Sequence, residues 1–342
     1  MRNPTIIDVA KEVGVSKSTV SLVLNESDRV HPDTAEKVWQ AIRRLNYVPN
    51  RAARALQSGR SNLIGMIVSD ITNPYYSELV RSVSDAARNQ KYDVVSFDLN
   101  YDTDLISVSL ERLLEYKPDG LLLFTHYTDQ TIIEKLVQSR IPTVLLNWGS
   151  ASTRISKLTI DYKSGMYAMV EHLVELGHKR LAFIAGLEKY GDTSGKVAAF
   201  YDAYGSFRHI LHEPLFLESN LTLNHKTATN VVDNIMMLDP QSRPTAIIAA
   251  NDLMAISILH ALQESNISVP EQMSLVGIDD IDLASFIRPP LTTLRQPRRQ
   301  IGAIAFDTLQ ELLNKEVDTG TTKSISLRLI RRASSGKAPA QD

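Results

Sequence analysis

The sequence predicts two kinds of structure in one chain: a small all-α N-terminal unit and a large α/β body of two doubly wound parallel-sheet lobes. Residues 5–45 carry apolar side chains at helical spacing, interrupted by one Gly and then resumed. From Leu63 onward, short apolar runs alternate with amphipathic stretches, and the alternation restarts at Arg180. The length agrees, since 342 residues exceed one ordinary core.

The N-terminal elements follow in order. Thr5 is placed to cap a first helix, with Asp8 at its third position favouring the positive end. Ile6, Val9, Ala10 and Val13 share one face of that helix. Gly14 tolerates positive φ, which ends the helix and begins a tight turn. Val15 plugs the small core, and Ser16 caps a second helix over 17–24. There Val20, Val23 and Leu24 are apolar, while Lys17, Ser18 and Ser21 point elsewhere. A third helix, over about 32–45, packs through Val38, Ala41, Ile42 and Leu45. Tyr47-Val-Pro-Asn50 breaks the chain, and residues 51–56 form a short basic helical stretch before Ser58-Gly59. A helix, a Gly turn and a second helix with a polar outer face is the unit that enters the major groove of duplex DNA. Short hydrogen-bonding side chains plus one Lys suit base edges and phosphates.

The body begins with expected strands over 63–68, 93–97, 120–124 and 142–146, and its second round has them over 180–185, 214–217, 245–249 and 273–278. The intervening helices fall over 75–91, 104–116 and 129–139, then 163–176, 196–211, 225–238 and 252–265. Ligands bind such sheets at the carboxyl ends of the strands, so two facing lobes create a cleft that closes by hinge motion.

Composition narrows the function classes. The net charge of −2 hides an asymmetry. Residues 1–60 carry ten Lys/Arg against six Asp/Glu, a net +4, and the rest carry 27 against 33, a net −6. A basic unit on an acidic body suits a polyanion held at one end. There is no Cys, which removes disulfides and cysteine metal sites. No apolar run reaches the roughly 18 residues of a membrane helix, and the N-terminus lacks the apolar core of a signal peptide, so a cytoplasmic protein is expected. A solute-binding protein of the transport type, the main alternative on a two-lobed fold, would show the reverse arrangement. Gly191-Asp-Thr-Ser-Gly-Lys196 imitates a phosphate loop but has Tyr190 where the first Gly belongs. Neither a helical HExxH nor a G-x-S-x-G elbow is present, and the eight His are scattered, with His178 in a turn where a structural role is expected. No catalytic set, cofactor or metal site is therefore expected.

At this point the motifs converge. Thr5-Ile-Ile-Asp-Val-Ala10, Gly14-Val-Ser16, Thr19-Val-Ser21 and Asn25 resemble the headpiece of the lactose-repressor (LacI/GalR) family. Tyr47-Val-Pro-Asn-Arg-Ala-Ala-Arg-Ala-Leu56 is similar to its hinge. In the body, Asn73-Pro-Tyr-Tyr76, Pro118-Asp-Gly120, Arg243-Pro-Thr245, Asn251-Asp252 and Val276-Gly-Ile-Asp-Asp280 resemble the family's effector domain, which has a periplasmic-binding-protein-like fold. The resemblance implies a transcriptional regulator, by default a repressor, bound to operator DNA as a homodimer and controlled by a small-molecule effector such as a carbohydrate. It implies DNA contacts from Thr5, Ser16, Lys17, Ser18, Thr19, Ser21, Leu22, Asn25, His31 and Thr34, and from hinge residues Asn50, Ala53, Arg54 and Leu56. Leu56 would wedge into a minor-groove step. Relatives often carry Arg or His at position 22, so Leu22 removes a hydrogen bond to a base edge and leaves the operator sequence open.

For the effector, Tyr75, Tyr76, Asn147, Trp148, Asp161, Tyr190, Asp192, Lys196, Leu221, Asp252 and Gln296 are the implied cleft residues. Lys196 stands where sugar-responsive relatives carry Arg, and Leu221 where they often carry an aromatic. The effector's identity and its sign therefore stay open, and a partner protein is an alternative occupant. The expected domains are a headpiece over 1–48 and a hinge over 49–60, followed by a first lobe over 61–160 plus 292–320 and a second over 161–291 plus 321–342. The tail from Arg332 has no Leu repeat and reads as disordered, which favours a dimer over a tetramer.

Overall fold

The structure, a computed structural model, describes residues 4–24, 29–49, 59–125, 130–186, 194–219, 222, 224–314 and 319–340. Of the expected site residues, Asn25, Asn50, Ala53, Arg54, Leu56, Tyr190, Asp192 and Leu221 lie outside them. The chain divides into two units, Met1–Ser61 and Asn62–Asp342.

The first unit holds α1 (Ile6–Val13), α2 (Lys17–Leu24) and α3 (Pro32–Leu45). At the start of α1 the Asp8 carboxylate accepts from Thr5 N at 2.8 Å and from Thr5 Oγ1 at 2.7 Å, which fixes the first turn. Gly14, at φ 73, lets Val15 N reach Ala10 O at 3.0 Å and closes the helix. Ser16 Oγ then accepts from Thr19 N at 3.0 Å and caps α2. Val9, Ala10, Val20, Val23, Val38, Ala41 and Ile42 form the core, one apolar face from each helix. Arg44 on α3 pairs with Glu12 on α1 at 2.6 Å across the outside.

The second unit is the α/β body. Its first sheet contains β1 (Leu63–Val68), β2 (Asp93–Asp98), β3 (Gly120–Phe124), β4 (Thr143–Leu146), β5 (Ile155–Asp161) and β11 (Thr322–Ser326), in the order β11-β5-β4-β3-β1-β2, all parallel. One face packs on α4 (Pro74–Asn89) and α12 (Arg298–Leu313), through Tyr76, Leu79, Val83, Ala305, Phe306 and Leu309. The other packs on α5 (Leu105–Glu115) and α6 (Gln130–Ser139), through Ile106, Leu110, Leu113, Ile132 and Leu136. Helices on both faces explain why β1 and β3 are buried at every residue. β2 at the sheet edge is half-exposed.

The second sheet contains β6 (Leu181–Gly186), β7 (Leu215–Ser219), β8 (Ala246–Ala249), β9 (Ser274–Asp279), β10 (Thr292–Arg295) and β12 (Arg328–Ile330), in the order β12-β10-β9-β8-β6-β7. Only β12 runs antiparallel among these strands. Its helices are α7 (Tyr162–Glu175) packed on α8 (Ser194–Phe207), α9 (His225–Met236) packed on α10 (Asp252–Glu264), and the short α11 (Leu283–Phe286). Among the described residues no helix is long and apolar enough to cross a membrane.

Two expectations need correction. The second and third passages between lobes come later than 292 and 320. β10 pairs with β9 in the second sheet, Thr292 opposite Val276, and β11 pairs with β5 in the first, Thr322 opposite Lys157. Thr292 and Thr293 look too polar for a buried strand, but Thr293 Oγ1 donates to Asp252 Oδ1 at 2.6 Å and Thr292 Oγ1 donates to Arg332 O at 3.1 Å. The passage after β10 is pinned by Arg298, whose Nε lies 2.6 Å from Glu78 on α4 while its other arm reaches Asp282 in the second lobe.

The tail is also ordered through residue 340. Ser334 is fully buried: its Oγ donates to Leu275 O at 2.5 Å and accepts from Thr292 N at 2.8 Å. Gly336 N donates to Ser274 Oγ at 3.0 Å, and Ala338 N to Leu176 O at 2.8 Å. Beneath it His178 is buried between Thr245 Oγ1, Ser274 Oγ and Gly336 O, the structural role expected of it. Burial pulls its imidazole down to about 4. Small polar residues carry no hydrophobic period, so a tail docked through hydrogen bonds reads as disordered in sequence.

Candidate functional site

The first candidate surface is the outer face of α2. Val20 and Val23 are buried in the headpiece core, and Leu24 packs against it. At helical spacing, Lys17, Ser21, Ser18 and Leu22 then share the opposite arc of about 140°. Lys17 and Ser18 are exposed, Ser21 and Leu22 half-exposed. Ser16 and Thr19 are occupied with each other at 2.9 Å, so both also serve the cap. His31 is exposed and caps α3 by accepting from Asp33 N at 3.3 Å, beside half-exposed Thr34. Thr5 is half-buried in its capping pair with Asp8. A protruding helix face with one cation, two hydroxyls and one apolar tip is equipped for phosphates, base edges and a thymine methyl.

The second candidate lies within the body, where side chains from both lobes meet at the carboxyl ends of strands. Tyr75, in the first turn of α4, is 4% exposed, and its OH donates to Gln296 Oε1 at 3.0 Å. Gln296 Nε2 donates in turn to Asp279 Oδ1 at 2.7 Å. Asp279 ends β9 at φ 122, and Asp280 follows at φ 55, two successive non-Gly residues in the left-handed half of backbone space. Such strain persists where surrounding contacts impose it, commonly at functional sites. Burial pushes the Asp279 carboxyl up to about 6, although Lys196 and Gln296 act against it.

Lys196 is only 4% exposed on α8, donates to Ala250 O at 2.7 Å, and sits 5.5 Å over the Tyr162 ring. Asn147, after β4 at φ 69, accepts from Ile160 N at 2.7 Å and donates to the Tyr162 OH at 3.5 Å. Asp252 at the start of α10 is fully buried. Its Oδ2 accepts from Ile281 N at 2.8 Å and its Oδ1 from Thr293, and burial with Asp279 nearby holds its carboxyl well above the usual range. Gly277 leaves that carboxylate room, because a Cβ there would strike Asp252 Oδ1.

Of the expected cleft residues, Tyr75 and Gln296 are joined directly and lead to Asp279, Lys196 and Asn147 both reach Tyr162, and Asp252 is held by Ile281 N and Thr293. Tyr76 is 2% exposed and packs edge-on against Tyr75 at 5.0 Å and Tyr101 at 6.4 Å. Asp161 caps α7 by accepting from Ser164 N at 3.1 Å, and its bonds to Ser164 hold its carboxyl low. Trp148 departs from the set: it is packed with Leu145, Ile132 and Leu136 on the α5–α6 side of the first sheet, its Nε1 buried without a partner among the described residues. Sequence reasoning missed Asp279 and Tyr162. Asp279 was legible as the acid that ends an apolar strand, where doubly wound sheets bind ligands. Tyr162 stands just before the helix expected over 163–176, where no local pattern marks it out.

Comparison with known proteins agrees with this fold. Residues 5–50 match the family described as bacterial regulatory proteins, lacI family, and residues 170–335 match the periplasmic binding protein-like domain. The chain is 32% identical over 333 residues to catabolite control protein A of Priestia megaterium, covering 97% of this chain and 99% of that protein. It is 33% identical over 310 residues to the HTH-type transcriptional repressor PurR of Aliivibrio fischeri strain MJ11, covering 90% and 91%. Among solved structures it is similar to the lac repressor dimer bound to operator and the anti-inducer ONPF, with a TM-score of 0.83, 28% identity, and 98% and 100% of the two chains covered. A helix-turn-helix unit and a two-lobed, periplasmic-binding-protein-like body in one chain define a DNA-binding transcriptional regulator. The chain belongs to the lacI family of bacterial regulatory proteins.

Proposed function

We propose that this regulator represses transcription as a homodimer on a pseudo-palindromic operator, and that a small polar effector of the sugar or related-metabolite class controls it from the cleft between the lobes. The observation that carries the reading is two groups of buried polar side chains at the strand ends: Tyr75, Gln296 and Asp279 in one hydrogen-bonded run, and Lys196 over the Tyr162 ring, whose OH Asn147 reaches. Buried carboxylates and a buried Lys cost folding free energy, and a ligand rich in hydroxyls is the natural counterpart to such a set. The tyrosine rings beside it supply an apolar face for a sugar ring. Relatives described as repressors, and a neighbour described as bound to operator and an anti-inducer, support the same reading.

Lys17, Ser18, Ser21 and Leu22 enter the major groove, with Thr5, Ser16, Thr19, His31 and Thr34 beside the backbone. Asn25 follows α2, and Asn50, Ala53, Arg54 and Leu56 of the hinge take the adjoining minor groove. One such unit buries little surface, so two act on half-sites about 34–36 Å apart. The working division is a headpiece over 1–48, a hinge over 49–60, a first lobe over 61–161 plus 297–326, and a second over 162–296 plus 327–342. Effector binding biases the lobe orientation and through it the hinges, a coupling of about 1–3 kcal/mol. The protein acts in the cytoplasm and carries no catalysis.

Fluorescence anisotropy of the full chain on its own upstream DNA, at stepped salt, tests the first half. Affinity falls steeply and linearly on logarithmic axes through counterion release, whereas salt-independent or absent binding removes the reading. A thermal-shift screen of sugars, nucleosides and phosphorylated metabolites tests the second half. Tyr75→Phe diminishes the shift from a true effector, and a hit that shifts both proteins equally binds elsewhere.

A further inference from the structure

α9 and α10 lie side by side in the second lobe, and their exposed edge brings together two of the eight scattered His. His225 is the first residue of α9, while His260 and Glu264 stand one turn apart near the end of α10. An i,i+4 pair projects from one helix face, and the third side chain reaches it from the neighbouring helix. One donor atom from each of the three lies within 4.8 Å of the others. His225 Nε2 is 2.6 Å from Glu264 Oε2, His260 Nε2 is 3.6 Å from Glu264 Oε1, and the imidazole centroids are 5.4 Å apart. We propose that His225, His260 and Glu264 form a surface site for one divalent transition-metal cation, with zinc as its natural size and donor match, which clamps α9 to α10.

The donor set decides the class of ion. Two imidazoles and one carboxylate suit zinc, nickel or copper, whereas magnesium and calcium take oxygen donors throughout. Zinc bonds of about 2.0–2.2 Å in tetrahedral geometry set donor atoms about 3.3 Å apart. The 2.6 and 3.6 Å separations straddle that spacing. The side chains are 58%, 58% and 49% exposed, so they turn to the final geometry without repacking a core. His225 Nε2 and Glu264 Oε2 already share a short contact in the metal-free chain, and the ion takes the place of the proton between them. The fourth position faces solvent and takes water.

The scaffold under the site is firm. Asn224 caps α9 by accepting from Thr227 N at 3.1 Å, and its own N donates to Ser257 Oγ on α10 at 3.2 Å. The first turn of α9 is thus already held against the helix that carries the other two ligands. α10 is also the helix that Asp252 begins, so a metal at its far end stiffens an element of the cleft wall.

The test is calorimetric titration of zinc chloride into chelator-stripped full-length protein, with His225→Ala, His260→Ala, Glu264→Gln and the double His variant in parallel. The expected result is one zinc per chain with micromolar affinity. It weakens at least tenfold in each single variant, and magnesium produces no binding. Zinc raises the wild-type Tm by a few degrees and a chelator reverses this, while the double variant does not respond. Because the three side chains are exposed, the variants keep the metal-free wild-type Tm, which separates lost ligation from lost folding. Equal zinc affinity in wild type and double variant overturns the site, as does binding that depends on only one of the two His.

Discussion

Replacing Asp279 with Asn removes a charge but keeps an oxygen for Gln296 Nε2, now 2.7 Å away. Asp279 is 4% exposed, and its carboxyl stands at about 6 against 3.8 for an unburied Asp, mainly because burial penalises the ion. The folded chain thus holds this proton more tightly than the unfolded one. The resulting stability is fully present below about pH 4 and is lost as pH rises through 6. Above that, ionised Asp279 costs about 3 kcal/mol, from about 1.36 kcal/mol for each pH unit between the two values. Asn carries no charge at any pH. Asp279→Asn should therefore be more stable by about 3 kcal/mol at pH 7.5, or about 5 °C in Tm for a body of this size, and by well under 1 kcal/mol at pH 4. Calorimetric melts of both proteins across that range measure it. An unchanged Tm at pH 7.5, or a gain that persists undiminished at pH 4, refutes the reasoning. The same variant should lose response to the effector, since a carboxylate kept at such a cost points to a ligand.

Leu22→Arg should shift the preferred operator in a site-selection library without abolishing binding, and identical preferences overturn base contact at position 22. Ser334→Ala strands Thr292 N and Leu275 O in the interior and should cost about 2–4 kcal/mol in denaturant melts. A loss below about 0.5 kcal/mol would mean that the tail is not docked in solution. Gly277→Ala drives a methyl at the Asp252 carboxylate and within 2.9 Å of Leu291 Cδ2, and should cost about 1–3 kcal/mol while blunting the effector shift. Wild-type stability with full effector response contradicts that contact.

The headpiece was legible almost residue by residue. Its core is local, so periodicity, one positive-φ Gly and two caps are all written within 45 consecutive residues. Six interior strands, β1, β3, β4, β6, β8 and β9, were equally legible, because strands covered on both faces must be apolar throughout, and the edge strands β2 and β7 were read with them, while interior β5 was not. What escaped were elements stabilised by distant polar partners. β10 hides two Thr in the interior because Asp252 and Arg332 receive their hydroxyls, and the tail docks through Ser334 without one large apolar side chain. α12 carries Ile301, Ala305, Phe306 and Leu309 at helical spacing, but its place against α4 in the first lobe depends on passages whose positions the sequence did not mark.

The cleft divides in the same way. Tyr75, Lys196, Asp252 and Gln296 were nominated by resemblance and by their nearness to strand ends. Only the fold could show that they meet across 221 positions of sequence, as Tyr75 and Gln296 do, or that Asp279 belongs among them and Trp148 packs away from them. The sequence by itself determined the class of protein, since helical periodicity, caps and buried strands are properties of short segments. The tertiary structure decided which polar groups share a buried space and which two His share an edge. Those facts depend on separation in space, and residues 35 apart in the chain, such as His225 and His260, carry no local trace of it.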